Sequence, residues 1–500
     1  MEQKKSKSIT YNALLRVILN VFNVIIPIIT GPYLARTLDV ELYGIYNKSL
    51  SLIGFLLPFA GFGIYNYGIR EISKLKDDEK KRSKLFTMLF VVGAGSSLFV
   101  LVCYVMYLLG AIALSHKMIY YIMTLQIIAV IFNVEYMHEA FENYQFIVCK
   151  TLLVRILNVI LILSCVRKPD DVIIYAFIYS FLQFLNYFLS FWYIKRQVRF
   201  VKISPAEIKN ILKPLLVVFL LMNCNMLYTN LDRLVMSEFS DGSYVTYYTF
   251  SQTIMNLLMN VLNSIILVTI PRLSNYIGQK KFQEYSALVH NSSGVFFMLG
   301  VPICIGFFVL SDVIMFLYGG DQYVGAGLTF GLFSIRMLVW IVEYVIANQI
   351  LFVQGYEKTI TKIYFIGGIL NILFKIILIM NNAMRSEIMI FSTTIAEILV
   401  LLMEIYYVTK YHIERLKNLI FQYLRYFVIA ITFVVVGVVN RELITFTYAM
   451  DLQMFKYVAV TIIECVCIYL GALLIMKDKN LLSITSVVMG KMKKLNKKMW

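Results

Sequence analysis

Residues 11–35 read YNALLRVILNVFNVIIPIITGPYLA, and whether this stretch crosses a membrane decides the fold. It supplies the roughly 20 mostly apolar residues that a bilayer-spanning helix needs. It also carries Arg16 inside it, with Asn12, Asn20 and Asn23 on the same side. An ionised side chain near the middle of a span costs roughly 2.5–3.5 kcal/mol on insertion scales. No span keeps an arginine by default, so the reason for this one has to come from the rest of the chain.

The 500-residue chain is 60% hydrophobic and only 15% charged, with a mean hydropathy of +0.76. A soluble protein carries about a quarter charged residues. Apolar runs of spanning length recur from residue 12 to residue 476, which makes the chain an all-α polytopic membrane protein. Its net charge of +17 would point a soluble protein toward nucleic acid. Here the basic residues sit in short connections between spans, so topology accounts for the charge and no nucleic-acid partner is expected. The start, MEQKKSKSIT before an apolar run, has the look of a secretory signal. The run is too long for one, contains Arg16 and lacks a small-x-small cleavage site, so it is read as the first span.

Fourteen spans are expected, beginning near residues 12, 43, 85, 118, 150, 172, 214, 245, 291, 326, 363, 387, 426 and 454. Most Lys and Arg fall in alternate connections between the spans, among them REISKLKDDEKKRSK (70–84), KRQVRFVKISPAEIKNILK (195–213) and the tail from Lys477, which ends KMKKLNKKMW. The positive-inside rule places these segments and both termini in the cytoplasm. A weak internal repeat is legible too. YGIREISKLKDDEKKRSKLF follows the second span, with Arg70 at the exit, and IPRLSNYIGQKKFQEYSALV follows the eighth, with Arg272 in the matching place. Asn158 in ILNVILIL and Asn371 in ILNILFKIILI match in the same way. The spacing predicts a six-span lobe over 1–200, a second over 201–413, and a two-span addition with a basic tail over 414–500. Parallel repeats of this kind recur in transporters whose substrate site lies between the halves.

Several spans carry polar residues at helical spacing, positions i, i+4, i+7 and i+8 sharing one face. Arg16, Asn20 and Asn23 do so in the first span; Tyr175, Tyr179, Gln183 and Asn186 in the sixth; Gln252, Asn256, Asn260 and Asn263 in the eighth. The seventh offers Asn223 and Asn230, with Arg233 close to that face. Lipid cannot satisfy these amides, so the faces meet other helices or water. Interhelical hydrogen bonding explains any single Asn; stripes running most of a span favour a hydrated cavity. The intramembrane cations are Arg16, Lys48, Arg155, Arg233, Arg336 and Lys375. Cations spread through the depth of a cavity suit an anionic substrate. The competing explanation is pairing with Glu135, Glu139, Asp232, Glu343, Glu397, Glu404 or Glu464. Arg336 and Glu343 lie two turns apart on one face and could be joined by a partner from a neighbouring helix.

Other chemistry is sparse. The sequence has no G-x-x-x-x-G-K-[ST] phosphate loop, its histidines (116, 138, 290, 412) are isolated, and its seven cysteines (103, 149, 165, 224, 304, 465, 467) lack metal-type spacing, so no cofactor is expected. Asp39-Val40-Glu41 in the first external connection is an acidic pair of the sort that membrane glycosyltransferases acting on lipid-linked sugars use to hold a metal. Those enzymes, and polysaccharide polymerases, carry large external domains or loops that this chain does not show.

The stretch ARTLDVELYGIYNKSLSLIGFLLPFAGFGIYNYGIREISKLKDDEKKRSKLF resembles the start of polysaccharide-biosynthesis flippases of the Wzx type. So, in order along the chain, do LDRLVMSEFSDGSYVTYYTFSQTI, TIPRLSNYIGQKKFQEY, FGLFSIRMLV and NQILFVQGYEKTITKIYFIGGILNILFKIILI. These flippases belong to the multidrug/oligosaccharidyl-lipid/polysaccharide (MOP) exporter superfamily. The resemblance implies fourteen transmembrane helices, as two pseudo-symmetric six-helix lobes around a central cavity plus two C-terminal helices. It implies a non-enzymatic transporter in the bacterial plasma membrane. Its expected work is to move an undecaprenyl-diphosphate-linked oligosaccharide from the cytoplasmic to the outer leaflet by alternating access. The product would feed capsule, O-antigen or exopolysaccharide synthesis. Besides the glycolipid and membrane lipid, other polysaccharide-assembly proteins are candidate partners. A cationic lumen carried over by position comprises Arg16, Lys48, Arg233, Arg336 and Lys375, whose charges suit a diphosphate. Asn20, Asn23, Gln183, Asn223, Asn256 and Asn260 would offer polar faces to the sugars. The alternative within the superfamily is a cation-coupled multidrug exporter. Such exporters often place an acid in the first helix, and this chain has none within its first span, Asp39 lying beyond it. Glu397, at mid-span, is a candidate coupling site. A lipid II or teichoic-acid-precursor flippase would look nearly the same.

Overall fold

The computed structural model describes residue 22 and residues 25–75, 78–110, 116–223, 231–411 and 413–482, except the side chains of 220–223 and 231. Twelve helical segments among these residues are long and apolar enough to cross a membrane. They answer to twelve of the fourteen spans expected. The other two, from residues 12 and 214, fall partly outside the described residues. Arg16, Asn20 and Asn23 lie outside them as well. There is no strand among the described residues.

The chain divides into two compact units, Met1–Thr246 and Tyr247–Trp500. The first holds α1 (25–37), α2 (Val40–Gly61), α3 (Ile64–Lys74), α4 (Glu79–Gly110), α5 (Lys117–Ile131), α6 (Glu135–Ala140), α7 (Tyr144–Cys165), α8 (Val172–Ile194), α9 (Pro205–Asn223), α10 (Leu231–Phe239) and the start of α11 (Gly242–Leu267). Residues 231–246 belong here because α10 packs along α2 and the backbone of Gly242 sits against Gly44, where a β-carbon has no room. The second unit holds the rest of α11, then α12 (Ile270–Gly278), α13 (Phe282–Val309), α14 (Ser311–Gly319) and α15 (Gly327–Val345), which runs on as a π-helical turn, Ile346–Phe352. After it come α16 (Glu357–Met380), α17 (Ser386–Lys410), α18 (Leu416–Ala430), α19 (Thr432–Leu443) and α20 (Leu452–Ile475).

Local chemistry explains the breaks between helices. Asp39 starts α2 as its N-cap, its Oδ1 accepting from the backbone N–H groups of Glu41 at 3.0 Å and Leu42 at 2.9 Å, as capping residues do. The Asp39-Val40-Glu41 pair is therefore a helix start, with Asp39 turned to its own backbone. α2 ends at Phe62 (φ 42°) and Gly63 (φ 70°). A β-carbon on Gly63 would lie 2.8 Å from the Phe219 nitrogen, so glycine is required both by its conformation and by the close passage of α9. Before α8, the N–H groups of Arg167 and Lys168 each donate to Asp171 Oδ2 at 2.8 Å. Those backbone bonds hold its carboxyl below the usual carboxylate range.

The same succession occurs in each unit: a long span, a sharp break, then a short amphipathic helix. After α2, α3 turns Ile64, Gly68 and Ile72 inward onto a core containing Phe86, Leu89, Tyr136 and Leu215, while Arg70 stays exposed against Glu71. After α11, α12 buries Leu273 and leaves Arg272 donating to the Tyr276 hydroxyl at 2.9 Å. The aligned arginines of the sequence repeat thus mark matching helix exits. In the second unit, the segment Asp321–Phe352 is the most enclosed span, with 67% of its apolar window buried against 22% for α20. Polar groups on α15 therefore face protein rather than lipid.

If Asp39 is a cap, Asp39→Ala should lower stability by about 1 kcal/mol and Asp39→Asn by much less, because Asn caps equally well. Unfolding of the detergent-solubilised protein measures this. A carboxylate pair holding a metal would not tolerate the Asn.

Candidate functional site

The polar face expected on the sixth span is built in α8. Tyr175 and Tyr179 meet Tyr43 and Tyr46 of α2 in an aromatic cluster, with Tyr46–Tyr175 ring centroids 4.8 Å apart and Tyr46–Tyr179 6.3 Å apart. Tyr179 lies within electrostatic range of both Arg155 and Arg233. One and two turns further on, Gln183 bonds Tyr187, and both line a cavity of about 320 Å³ with Pro58, Gln126 and Asn133. The amide of Gln126 donates to Ser180 Oγ at 3.2 Å. Amides, phenols and two guanidiniums therefore converge along one side of the first unit.

Arg155 is the odd member of this set. It is the twelfth of the 22 residues of α7, so it lies near mid-span, where a charge is most costly. It makes no ion pair or hydrogen bond among the described residues, and its Nε is buried without an acceptor. Five residues earlier, Lys150 is fully matched: its ammonium contacts Glu135 and donates to Asn186 O at 3.0 Å and Ser190 Oγ at 2.6 Å. The sequence flagged Arg155 only as an intramembrane cation and passed over Lys150. Its signal was its place in an apolar run next to the Lys, but sequence does not tell a matched cation from an unmatched one.

The other expected cations are distributed as follows. Lys48 is half-buried and donates to the Ser240 carbonyl. Lys375 is buried on α16, its ammonium donating to Met389 O at 2.9 Å, Ser392 Oγ at 2.7 Å and Thr393 Oγ1 at 2.8 Å. Arg336 on α15 donates from Nε to Glu397 Oε2 at 2.8 Å and from Nη2 to Glu397 Oε1; the two residues are 7% and 1% exposed. The structure thus joins two expected site residues to each other, Arg336 and Glu397, and seats Lys375 on the stretch of α17 four to eight residues before Glu397. Asn256 and Asn260 lie on the exposed face of α11. Asn223 ends α9, with its side chain outside the described set. Elsewhere in the second unit α13, α19 and α20 wall an apolar cleft of about 620 Å³, lined by Phe307, Phe433, Ile462 and Leu470 among others.

These features describe a helical membrane protein with polar and cationic surfaces built into its spans. Its fold is found in solved transporters of the MOP superfamily. The structure of the lipid II flippase MurJ in an inward closed conformation superimposes with a TM-score of 0.71 at 14% identity, over 93% of this chain and 99% of that one. An inward-facing multidrug resistance MATE family transporter gives 0.54 at 13% identity, over 77% and 98%. By sequence, residues 9–277 match the family described as polysaccharide biosynthesis protein, and residues 214–377 match MatE. The chain belongs to the polysaccharide biosynthesis protein family. Its curated relatives include a putative O-antigen transporter of Shigella dysenteriae, 22% identical over 73% of this chain and 91% of that protein. Another, of Escherichia coli (strain K12), is 20% identical over 70% and 85%.

A buried, bidentate ion pair predicts a particular pattern of stability. Arg336→Ala or Glu397→Ala should each destabilise the protein by roughly 3–5 kcal/mol, because each leaves a charge stranded. The double replacement Arg336→Met with Glu397→Leu should recover most of that loss. Unfolding in detergent over the four-member cycle checks both.

Proposed function

We propose that the protein is a flippase that carries a polyprenyl-diphosphate-linked oligosaccharide from the cytoplasmic to the outer leaflet of the bacterial plasma membrane, with both termini in the cytoplasm. In this reading it has the fourteen spans expected from sequence, as two lobes over 1–200 and 201–413 with a two-span addition over 414–500, and works by alternating access. Family membership and relatives named as O-antigen transporters support the substrate class. The observation that carries the reading is Arg155, a mid-span guanidinium with no acid among the described residues to neutralise it.

Such a cation suits a ligand that brings its own negative charge. A diphosphate offers several acceptor oxygens to the planar fork of a guanidinium, and Arg233 beside the same tyrosine adds a second. Arg16 and Lys48 extend the cationic path along the depth of the membrane. The tyrosines and the amides of Asn20, Asn23, Gln183, Asn223, Asn256 and Asn260 supply donors and acceptors for the sugars. The apolar cleft beside α20 offers a surface to the polyisoprenoid. Lys48, Arg336 and Lys375 already hold internal acceptors and Arg233 has protein partners of its own, so these four join the path only by exchanging those partners during the cycle.

Deleting the gene in its host and following surface glycan and lipid-linked intermediates tests this. Loss of surface glycan, with intermediates held on the cytoplasmic leaflet, is expected, and wild type should restore it. A charge-assisted hydrogen bond contributes about 1.5–3 kcal/mol, so Arg155→Ala, though expressed, should cut flux by roughly ten- to hundredfold. Arg155→Lys should retain part of it. Unchanged glycan with new sensitivity to cationic drugs would favour the multidrug exporter instead.

A further inference from the structure

The second unit buries more negative charge than it neutralises. Glu343 follows Arg336 by seven residues on α15, and Glu404 follows Glu397 by seven on α17. Seven residues are two helical turns, about 10 Å, and keep both side chains on one face. α15 and α17 pack directly on each other. The Arg336–Glu397 pair therefore forms one rung between them, and Glu343 with Glu404 a second rung two turns on. Glu404 interacts with Glu343, and Glu343 with Glu397, Arg336 and Tyr364 of α16.

Among the described residues the second rung lacks a cation. Glu404 is wholly buried and, among the described residues, neither of its carboxyl oxygens has a hydrogen-bond partner; Glu343 is 5% exposed and its Oε2 has none among them either. The charged groups on the elements packed around this rung are engaged elsewhere. Arg336 is bidentate on Glu397, and Lys375 of α16 is bound to Met389, Ser392 and Thr393. Arg425 of α18 pairs with Asp478, and His290 of α13 faces Glu414 at 3.8 Å. Lys358 and Lys362 of α16, Lys410 of α17 and Lys417 of α18 are exposed. Ile346–Phe352 contributes no titratable side chain. The Tyr344 ring of α15 lies tilted against Trp340, and the Tyr423 hydroxyl of α18 donates to Leu338 O.

We propose that Glu343 and Glu404 form a proton-binding site that holds one proton between them when closed off from water and releases it when water reaches the pair. Two carboxylates brought together in a low-dielectric interior cannot both stay ionised, and the pair titrates as a unit. A proton needs no further ligands. A metal ion would need more, and among the described residues no group of three or more His, Cys, Asp or Glu is placed to hold one. The site differs from Glu397, whose oxygens are both committed to Arg336. Its use as the coupling site of transport rests on the flippase reading above.

Infrared spectroscopy of the full chain in lipid vesicles, with no glycolipid added, tests the site by itself. A carboxylic-acid C=O band should be present at neutral pH and vanish reversibly at alkaline pH. Glu343→Gln and Glu404→Gln, which keep the shape of the neutral acid, should each shift or weaken it, and the two together should remove it. Exchanging sodium for potassium should leave it unchanged. Should a variant fail to fold, glutamate-selective carbon-13 labelling of the wild-type chain decides, because the band must then shift. A spectrum with no such band at neutral pH overturns the proposal, as does a band that survives both substitutions, ignores the label or responds to sodium at fixed pH. Because no glycolipid is present, the site and the flippase reading fail separately: flipping without the titration removes the site, and titration without flipping removes the transport reading.

Discussion

A charge inside a bilayer has no water to turn to, so it must be matched by protein or by whatever the protein carries. Much of this structure follows from that constraint. Lys150 is surrounded by Glu135, Asn186 and Ser190. Lys375 is bound by a carbonyl and two hydroxyls, and Arg336 by both oxygens of Glu397. Each of these cations is an internal fastener between helices. Arg155 in the first unit and the Glu343–Glu404 rung in the second stand apart because the described residues do not complete them. In a membrane such incompleteness is expensive, and it marks the places where a ligand belongs. The two have opposite sign: the first suits an anion and the second a proton.

The spans were largely legible in the sequence because hydropathy reports directly where lipid contacts the chain. The helix expected near residue 172 begins at Val172, and that expected near 118 begins at Lys117. Others start well before the apolar run does: α13 at Phe282 where 291 was expected, α18 at Leu416 where 426 was. Their first turns are polar, and a helix is defined by its hydrogen bonds, which continue past the membrane surface. Asp39 was a harder case. Its acidic pair is of a sort that some glycosyltransferases use for a metal, a reading disfavoured by the lack of large external loops, and the backbone N–H groups of Glu41 and Leu42 show Asp39 to be a cap.

The site was legible in kind and not in pairing. Helical spacing shows which residues of α8 share a face, because period is a local property. Which acid meets Arg336 depends on how α17 is rotated against α15, across 61 residues of sequence, and no local pattern encodes that. The sequence offers seven candidate acids for the intramembrane cations, and Glu397 of α17 is the one that Arg336 meets. The same rotation brings Glu404 to Glu343. Whether a cation is matched is likewise a tertiary property, which is why Arg155 and Lys150, on one helix, differ so completely.

The account makes the first unit a path for a lipid-linked anion, and the most direct measurement is leaflet exchange by the purified protein. Vesicles containing the full chain and a fluorescent polyprenyl-diphosphate glycan in both leaflets would be exposed to a quencher that cannot cross the membrane. The account predicts that the quenched fraction rises from about half toward completion in the presence of the protein, and that Arg155→Ala slows this rise roughly ten- to hundredfold. Quenching that stops at half with the wild-type chain folded in the vesicles would contradict it.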